Sequence, residues 1–148
     1  MQVLNFPTYP FRIKNKENKP YVFDIIRKKF VQIQAEEWVR QHLVWFLIYE
    51  KNYPKSLINV EKKILVNGLT KRVDLVIFNK DGSIYLLVEC KSPEVKISQQ
   101  TFDQIARYNL SLNAQLLMVS NGLSHFYCRV DKNAEKYTFL ESIPDYIP

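Results

Sequence analysis

The sequence contains no long apolar run and very little cysteine. No stretch approaches the roughly 18 consecutive apolar residues of a membrane span, and the first residues lack the basic start and apolar core of a signal peptide. The two cysteines, Cys90 and Cys128, show no metal-ligand spacing and fall in strand-like runs, so we expect both to be reduced and buried. Internal repeats and low-complexity segments are also lacking. These absences predict a cytoplasmic protein with no membrane partner.

The composition is that of a folded protein. Apolar residues make up 47% and aromatic residues 14% of 148 residues, which excludes a disordered chain. A chain of this length is large enough to bury a substantial core as one unit. We therefore expect a single domain over residues 1–148.

Positive charge is concentrated at the start of the chain. Residues 1–34 carry seven basic and two acidic side chains, a net +5 of the formal +6. Such a basic segment is suited to contact a phosphate backbone, although the run Lys14–Lys19 is also typical of a solvated turn or loop ahead of Pro20. Residues 21–25 and 29–31 favour a short hairpin within this segment.

Hydrophobic periodicity predicts two helices and a series of strands. Helices are expected over 34–51, ending before Pro54, and over 98–112. A strand–helix–strand order between residues 84 and 120 predicts a parallel strand pair. The fold class is therefore α/β, with a mixed central β-sheet flanked by helices. The expected strands of this sheet are 57–65, 72–78, 84–91, 115–120, 123–130 and 136–140.

The middle of the sequence has the pattern of an antiparallel hairpin. Two β-branched apolar runs, 72–78 and 84–91, flank a turn cluster that contains Asp81-Gly82. If Asn79 pairs with Ile84, the residue numbers of opposed residues sum to a constant along both strands. This alignment fixes which charged side chains face each other.

Charged residues of the hairpin converge in that alignment. Asp74 lies across from Glu89, where Cβ atoms are roughly 4.5–5.5 Å apart, and alternation places Lys91 beside Glu89 and Arg72 beside Asp74. Two adjacent carboxylates repel unless a cation neutralises them, and paired hard oxygen ligands suit Mg²⁺. Ordinary cross-strand ion pairs, Asp74–Lys91 or Arg72–Glu89, are the alternative interpretation.

The order Asp74…Glu89-Cys90-Lys91 resembles the PD-(D/E)xK nuclease motif. With Glu36–Gln41 upstream and Gln104-x-x-x-Tyr108 downstream, the chain from about residue 21 to 127 resembles the N-terminal nuclease domain of type I restriction enzyme R subunits. Val73 stands where the motif has proline. The motor subunits continue into helicase domains, whereas this sequence ends at residue 148, so the resemblance predicts such a nuclease domain standing alone.

This resemblance implies a restriction-endonuclease-like core that hydrolyses DNA phosphodiester bonds with Mg²⁺, or with Mn²⁺ as a substitute. It implies metal binding by the carboxylates of Asp74 and Glu89 and the carbonyl of Cys90, with Lys91 orienting or activating the attacking water. The implied partners are DNA and the helicase or methyltransferase/specificity subunits of a restriction system.

The resemblance also implies that a glutamate of the first helix, Glu36 or Glu37, contributes to the metal site. Periodicity places Glu36 on the inward stripe and favours it over Glu37, although a first-turn acid is also stabilised by the helix dipole. Arg40 and Gln41 are expected toward the polar side, where they bind phosphate or pair with the acids.

Further residues are candidates for substrate contact. Arg72 adds positive charge beside the carboxylates, and the resemblance gives Gln104 and Tyr108 a role in substrate placement, although any helix offers such i, i+4 surface pairs. His42 and His125 have no partner at metal or triad spacing and are expected to be structural.

Two other functions remain compatible with the sequence. A catalytically silent nucleic-acid-binding or complex-assembly module would keep the same fold without turnover. A nuclease directed at RNA or at single strands would share the chemistry and differ only in the shape of its groove.

Overall fold

The computed structural model describes residues 1–131, 133 and 136–147 as two β-sheets and two α-helices. The first sheet and the first helix come from the N-terminal third of the chain, and a larger sheet with the second helix follows. Two short 3₁₀ helices cover Lys55–Leu57 and Leu110–Leu112. The elements are β1 (Ile13–Lys16), β2 (Lys19–Asp24), β3 (Lys29–Gln32), α1 (Ala35–Tyr49), β4 (Ile58–Val66), β5 (Leu69–Phe78), β6 (Ile84–Cys90), α2 (Gln99–Asn109), β7 (Leu116–Ser120), β8 (His125–Asp131) and β9 (Lys136–Leu140).

The larger sheet is mixed, as predicted. Its six strands are ordered β4-β5-β6-β7-β8-β9, and neighbours are antiparallel except for β6 and β7, which α2 connects as a parallel pair. The predicted α/β class, with a mixed central sheet flanked by helices, is confirmed. In the part of the chain that the structure describes, no helix is both long and apolar enough to cross a bilayer.

The two helices pack against different sets of strand residues. Val39 and Leu43 of α1 share one buried cluster with Leu75 and Val88 of the hairpin. Phe102 of α2 lies in a second cluster with alternate strand positions, because successive strand side chains point to opposite faces. The larger sheet is therefore a layer between two apolar cores. Further members of the second cluster are Val76, Leu87, Leu117 and Val119.

Both helices end close to their predicted limits. Ser98 caps α2 by accepting a hydrogen bond from the Thr101 N–H at 3.1 Å. The last predicted turn of this helix is 3₁₀ and stops at Asn113, whose φ of 57° is left-handed. Helix α1 ends at Tyr49, five residues before Pro54.

The predicted register of the β5–β6 hairpin holds at the end that carries the acids. Leu75 pairs with Val88, as expected, but Phe78 pairs with Ile84. The predicted pairing of Asn79 with Ile84 is wrong, because a β-bulge inserts an extra residue next to the turn. From Ile77 toward Asp74, beyond the bulge, the residues pair as predicted.

The β4–β5 turn has the predicted Asn67-Gly68 pair. Their φ values are 50° and 77°, the two positive values that a type I′ hairpin turn requires. Val66 and Leu69 close the ladder on either side. The strand predicted over 57–65 is thus confirmed, shifted by one residue to 58–66.

The N-terminal segment forms a three-stranded sheet in the order β1-β2-β3. The predicted hairpin between β2 and β3 is confirmed, but the prediction that Lys14–Lys19 is only a turn or loop is wrong. Glu17 and Asn18 adopt left-handed φ values of 52° and 62°, so the chain reverses within two residues. Pro20 then lies in β2 opposite Asn15, where its carbonyl accepts from the Ile33 N–H at 2.9 Å.

Candidate functional site

Asp74 and Glu89 come together at the end of the β5–β6 hairpin. The pairing of Leu75 with Val88 leads directly into their positions. The backbone N–H of Cys90 donates to Asp74 Oδ2 at 2.7 Å, which fixes the Asp74 carboxylate against the partner strand. The hairpin therefore holds two carboxyl groups next to each other, in the register that the sequence predicts.

The environment of Glu89 opposes its ionisation. Burial, followed by the neighbouring Asp74 carboxylate, raises the pKa of Glu89 to about 8, while Lys91 and Asn109 act in the opposite direction. Asn109 Nδ2 lies 3.5 Å from Glu89 Oε1. At neutral pH the acid pair thus retains a proton unless a cation compensates its charge.

Lys91 directly follows the last residue of β6. Its backbone N–H donates to the Ser120 carbonyl at 2.8 Å, so the parallel strand β7 holds its position. Its positive charge acts on both Glu36 and Glu89 and partly offsets the rise in the pKa of each. Among the described residues its ammonium forms no ion pair within 4.0 Å, so the alternative Asp74–Lys91 pair is not formed.

Asp74 is instead paired with Arg40 from α1. Arg40 Nη2 lies 3.2 Å from Asp74 Oδ1, and Arg40 Nη1 lies 2.8 Å from Glu37 Oε1. The prediction that Arg40 and Gln41 lie toward the polar side is wrong, since both are buried. Buried polar groups need partners, and the carboxylates supply them: Gln41 Nε2 donates to Asp24 Oδ2 at 2.9 Å. The predicted pairing with the acids is confirmed.

The two acids of the first turn of α1 have different surroundings. The Glu37 side chain is 12% exposed and lies between two arginines, whereas the Glu36 side chain is 48% exposed. The prediction that Glu36 is the inward acid is wrong, because Glu37 is the acid that lies against both Arg27 and Arg40, while Glu36, among the described residues, pairs only with Arg40, at 3.5 Å. Burial and then the charge of Asp74 nevertheless raise the pKa of Glu36. Glu36 therefore lies at the rim of the acidic site.

Arg27, in the β2–β3 turn, connects the N-terminal sheet to the site. Its Nε contacts Asp24 Oδ2 at 2.7 Å, its Nη2 contacts Glu37 Oε1 at 2.9 Å and its Nη1 contacts Glu61 Oε2 at 3.2 Å. These contacts span up to 34 positions of sequence. No local sequence pattern predicts these ion pairs, so Arg27 is not among the predicted site residues.

Glu61 is a second residue of the site that is not among the predicted site residues. It lies in β4 across from Asp74, because the flanking pairs are Val60 with Leu75 and Lys62 with Val73. Its φ of 52° is left-handed, which is uncommon for a residue other than glycine.

The Glu61 carboxylate contacts the arginine that was expected beside the acids. Its Oε1 lies 3.0 Å from Arg72 Nη2, and the Arg72 side chain is 62% exposed. The alternative Arg72–Glu89 ion pair is therefore replaced by Arg72–Glu61. The guanidinium of Arg72 remains largely open to solvent, as a substrate contact requires.

The residues predicted for substrate placement lie on the outer face of α2. Gln104 and Tyr108 are exposed, and in the described chain neither contacts Asp74 or Glu89. Lys71 Nζ lies 4.5 Å from the Tyr108 ring and donates to the Tyr108 carbonyl. The α2 residue that reaches an acid is Asn109, whose signal in the sequence was a polar side chain on the inward apolar stripe.

Two carboxylates and one carbonyl form the candidate metal ligands. Burial raises the pKa of the Cys90 thiol well above its usual value, so only the backbone carbonyl of this residue can bind a hard cation. Within residues 1–131, 133 and 136–147, no group of three or more His, Cys, Asp or Glu side chains is arranged to hold a metal. Mg²⁺ commonly uses one or two carboxylates, with water and phosphate oxygens completing its shell, so Asp74 and Glu89 fit this ion.

The two histidines make structural contacts. His42 Nδ1 lies 2.8 Å from the Trp38 carbonyl oxygen. The His125 ring contacts Ser120 Oγ at 2.7 Å and the Asn5 carbonyl at 2.8 Å. Burial lowers the pKa of both rings, so both are neutral at physiological pH.

Comparison with known proteins assigns the chain to a family. Residues 35–144 match the model of the type I restriction enzyme R protein N terminus (HSDR_N). The chain belongs to this family, and the resemblance seen in the sequence is confirmed. The matched range begins with α1 and includes the hairpin and α2, whereas the N-terminal sheet precedes it.

One similar solved structure is a fragment described as an HsdR subunit of a type I restriction enzyme from Vibrio vulnificus YJ016. It is 18% identical, with a TM-score of 0.45, and the match covers 68% of this chain and 22% of that chain. The match thus spans less than a quarter of that fragment. No curated protein matches the chain.

Proposed function

We propose that this chain is a nuclease domain that hydrolyses DNA phosphodiester bonds with Mg²⁺, as part of a type I restriction system. The observation that carries the proposal is the acid pair on the hairpin, in which burial and Asp74 raise the pKa of Glu89 to about 8. Strongly shifted acids beside a second carboxylate are typical of functional sites. Family membership supports the restriction context.

The metal would be held by the carboxylates of Asp74 and Glu89 and by the Cys90 carbonyl, with Mn²⁺ as a substitute. When bound, Mg²⁺ polarises a phosphate oxygen and lowers the pKa of a bound water. The Cys90 N–H keeps Asp74 Oδ2 in place, and Asn109 does the same for Glu89. Both oxygens are thus oriented before the ion arrives.

Lys91 is the proposed group that orients or activates the attacking water or stabilises developing negative charge. Its backbone is anchored to Ser120, and its ammonium forms no ion pair with a carboxylate of the described chain. It is therefore available to orient the attacking water or to stabilise the developing negative charge on the phosphate. Glu36, at the rim, completes the acidic side.

The remaining candidates would bind substrate at different depths. Arg72, Gln104 and Tyr108 are exposed and can contact a DNA backbone that passes over the site. Arg40 is buried behind Asp74, so we assign it to positioning that carboxylate. With this function we expect the protein to act in the cytoplasm together with other subunits of a restriction system.

A catalytically silent module is the second candidate. One observation favours it: Arg40 already neutralises Asp74 at 3.2 Å, as a structural ion pair would. Against it, the full set of Asp74, Glu89 and Lys91 is present, and a retired site gains nothing from a buried acid that resists ionisation.

Cleavage of supercoiled plasmid and of single-stranded DNA tests the proposal, with Mg²⁺ or Mn²⁺ and an EDTA control. Asp74→Ala should abolish metal-dependent nicking, whereas Glu94→Ala, which removes an exposed acid after the hairpin, should cleave normally. Equal nicking by Asp74→Ala would contradict the assignment. If the folded wild type cuts nothing, Mn²⁺ binding that depends on Asp74 indicates a nuclease that requires partners, and no binding indicates the silent module.

A further inference from the structure

We propose that the outer face of the N-terminal sheet (β1–β3) is a nucleic-acid-binding surface that contacts the phosphate backbone. This surface lies before residue 35, where the family match begins. The choice of nucleic acid over other polyanions rests on the proposed nuclease function. Binding itself requires neither metal nor cleavage, so the two proposals can fail separately.

The register of the sheet divides its residues into an inner and an outer face. Val22 and Asp24 are fully buried, so their side of the sheet packs against the body of the protein. Directly opposed residues share a face. The pairs Lys14–Tyr21, Lys16–Lys19 and Phe23–Phe30 therefore lie on the outer side. Arg12 joins them, since its carbonyl accepts from the Phe23 N–H at 2.9 Å.

Four cations and three aromatic rings thus occupy one face. Arg12 Cζ lies 4.7 Å from the ring centroid of Phe23, and Lys14 Nζ lies 4.1 Å from that of Phe30. Cation–π contacts of this kind hold a long side chain in place while its charge stays at the surface. The rings therefore act as a support that orders the cations.

The charges of this face are uncompensated. Arg12, Lys14, Lys16 and Lys19 are exposed, and none forms an ion pair with a carboxylate of the described residues. Residues 12–32 contain two acids, of which Glu17 lies in the turn and Asp24 points inward. The face is consequently a uniform positive patch, which attracts a polyanion.

The spacing of the cations suits an extended backbone. Lys14 and Lys16 lie in β1 and Arg12 directly precedes it; the three occupy alternate positions of extended chain, so neighbouring Cα atoms are about 6.6 Å apart. This row can contact successive phosphates of one nucleic-acid strand. Recognition by such contacts is independent of base sequence.

The sheet is attached beside the acidic site. Arg27 links the β2–β3 turn to Glu37 at 2.9 Å and to Glu61 at 3.2 Å, and Glu61 lies across from Asp74 in β4. The cation row extends from this attached end to the β1–β2 turn. A nucleic-acid strand bound along this row would lead toward the carboxylates of the acidic site.

An anionic bilayer is the competing partner for a basic face. Proteins that lie on a membrane bury protruding apolar side chains in the acyl region. On this face the aromatic rings are half-buried, and cations cover Phe23 and Phe30. The face therefore suits phosphate contacts from a soluble polyanion.

The test is fluorescence anisotropy of labelled single-stranded and double-stranded DNA and RNA oligonucleotides, in EDTA so that no cleavage occurs. The surface variant is Lys14→Gln/Lys16→Gln/Lys19→Gln. Its matched control is Lys55→Gln/Lys80→Gln/Lys96→Gln, which removes the same charge from exposed positions elsewhere. We expect the surface variant to raise Kd at least about tenfold and to lower the slope of log Kd against log salt by about 2, since each lost phosphate contact removes about 0.7–0.9.

The preferred oligonucleotide identifies which nucleic acid the face takes. Equal Kd values and salt slopes for the two variants would overturn the proposal. So would a wild type that fails to bind any oligonucleotide but binds phosphatidylserine vesicles. Charge-dependent binding by a protein that neither cuts DNA nor binds Mn²⁺ through Asp74 would retain this surface while the proposed nuclease function fails.

Discussion

Arg40 of α1 and Asp74 of β5 form an ion pair of 3.2 Å that ties the first helix to the acidic end of the hairpin. The same guanidinium binds Glu37 at 2.8 Å, and only 7% of the Arg40 side chain is exposed. The guanidinium also lies 3.5 Å from Glu36 Oε1 and 3.8 Å from Glu61 Oε1, so one cation serves four carboxylates. The pair holds Asp74 in place but also occupies one of its oxygens.

Replacing Arg40 should destabilise the protein. In Arg40→Ala the carboxylates of Glu37 and Asp74 lose a shared buried partner, which costs about 3 kcal/mol. Urea unfolding followed by tryptophan fluorescence measures the loss. Arg107→Ala, which removes an exposed arginine from α2, should change the free energy of unfolding by less than about 0.5 kcal/mol. Equal stability of the two variants would show that Arg40 is not the structural partner of these acids.

The shifted pKa of Glu89 predicts an unusual dependence of stability on pH. In EDTA the folded protein retains a proton on Glu89 at pH values between the ordinary pKa of 4.5 and the raised pKa of about 8, whereas the unfolded chain has released it. Folding is therefore favoured at the lower end of this window, and stability falls as pH rises through it. Glutamine does not ionise, so Glu89→Gln is spared this loss of stability. Its free energy of unfolding should gain a few kcal/mol on that of the wild type between pH 4.5 and 8, at about 1.4 kcal/mol per pKa unit.

Thermal unfolding at several pH values checks this prediction. Glu94→Gln, at an exposed position, should track the wild type at every pH. Adding Mg²⁺ at pH 8 should raise the Tm of the wild type and leave Glu89→Gln unchanged, since the ion replaces the proton. A constant difference between Glu89→Gln and wild type across the window would contradict the shift.

Lys91→Ala should separate catalysis from folding. The Lys91 ammonium forms no ion pair in the described chain, so its loss should change the free energy of unfolding by less than about 1 kcal/mol. Mn²⁺ binding should persist because both carboxylates remain. Plasmid nicking should fall about 10²–10³-fold, the usual effect of removing one preorganised group that stabilises charge in the transition state. Lys96→Ala provides the control, and undiminished nicking by Lys91→Ala would remove this residue from the mechanism.

Glu61 predicts a reversed preference between glycine and alanine. Both Glu61→Gly and Glu61→Ala lose the contacts to the arginines, so their difference reports the backbone alone. A φ of 52° costs an alanine roughly 1–2 kcal/mol and glycine almost nothing. Glu61→Gly should therefore be the more stable variant by about 1 kcal/mol in urea unfolding. As a control, Lys63→Ala should be more stable than Lys63→Gly in the same strand. If Glu61→Ala were likewise more stable than Glu61→Gly, the strained conformation of Glu61 would be refuted.

The local part of the architecture was predictable from the sequence. Periodicity and turn residues located both helices and the strands of the larger sheet, because an amphipathic pattern and the Asn67-Gly68 turn act over a few residues. The facing of Asp74 and Glu89 followed from the turn alone, although the turn was misplaced by one residue. The bulge near residue 85 offset that error.

The surroundings of the acids could not be read in the same way. Arg27 contacts Glu61 across 34 positions, and no period of a helix or strand encodes such a pair. The sequence predicts Arg40 on the polar side of α1, whereas its acidic partners allow it to be buried. The periodicity of α1 predicts Glu36 inward, whereas the first turn directs Glu37 toward the two arginines, which no periodicity encodes.

The hydrogen bond from the Lys91 N–H to the Ser120 carbonyl sets an order of assembly. A nascent chain that has emerged only through residue 100 carries both acids on a hairpin of neighbouring strands, but it lacks the strand that holds the lysine. That strand joins as a parallel partner after α2, and pairings of such sequence separation form late in folding. During synthesis the lysine that would orient the attacking water is thus positioned last, so the unfinished chain would hold both acids but lack a complete site.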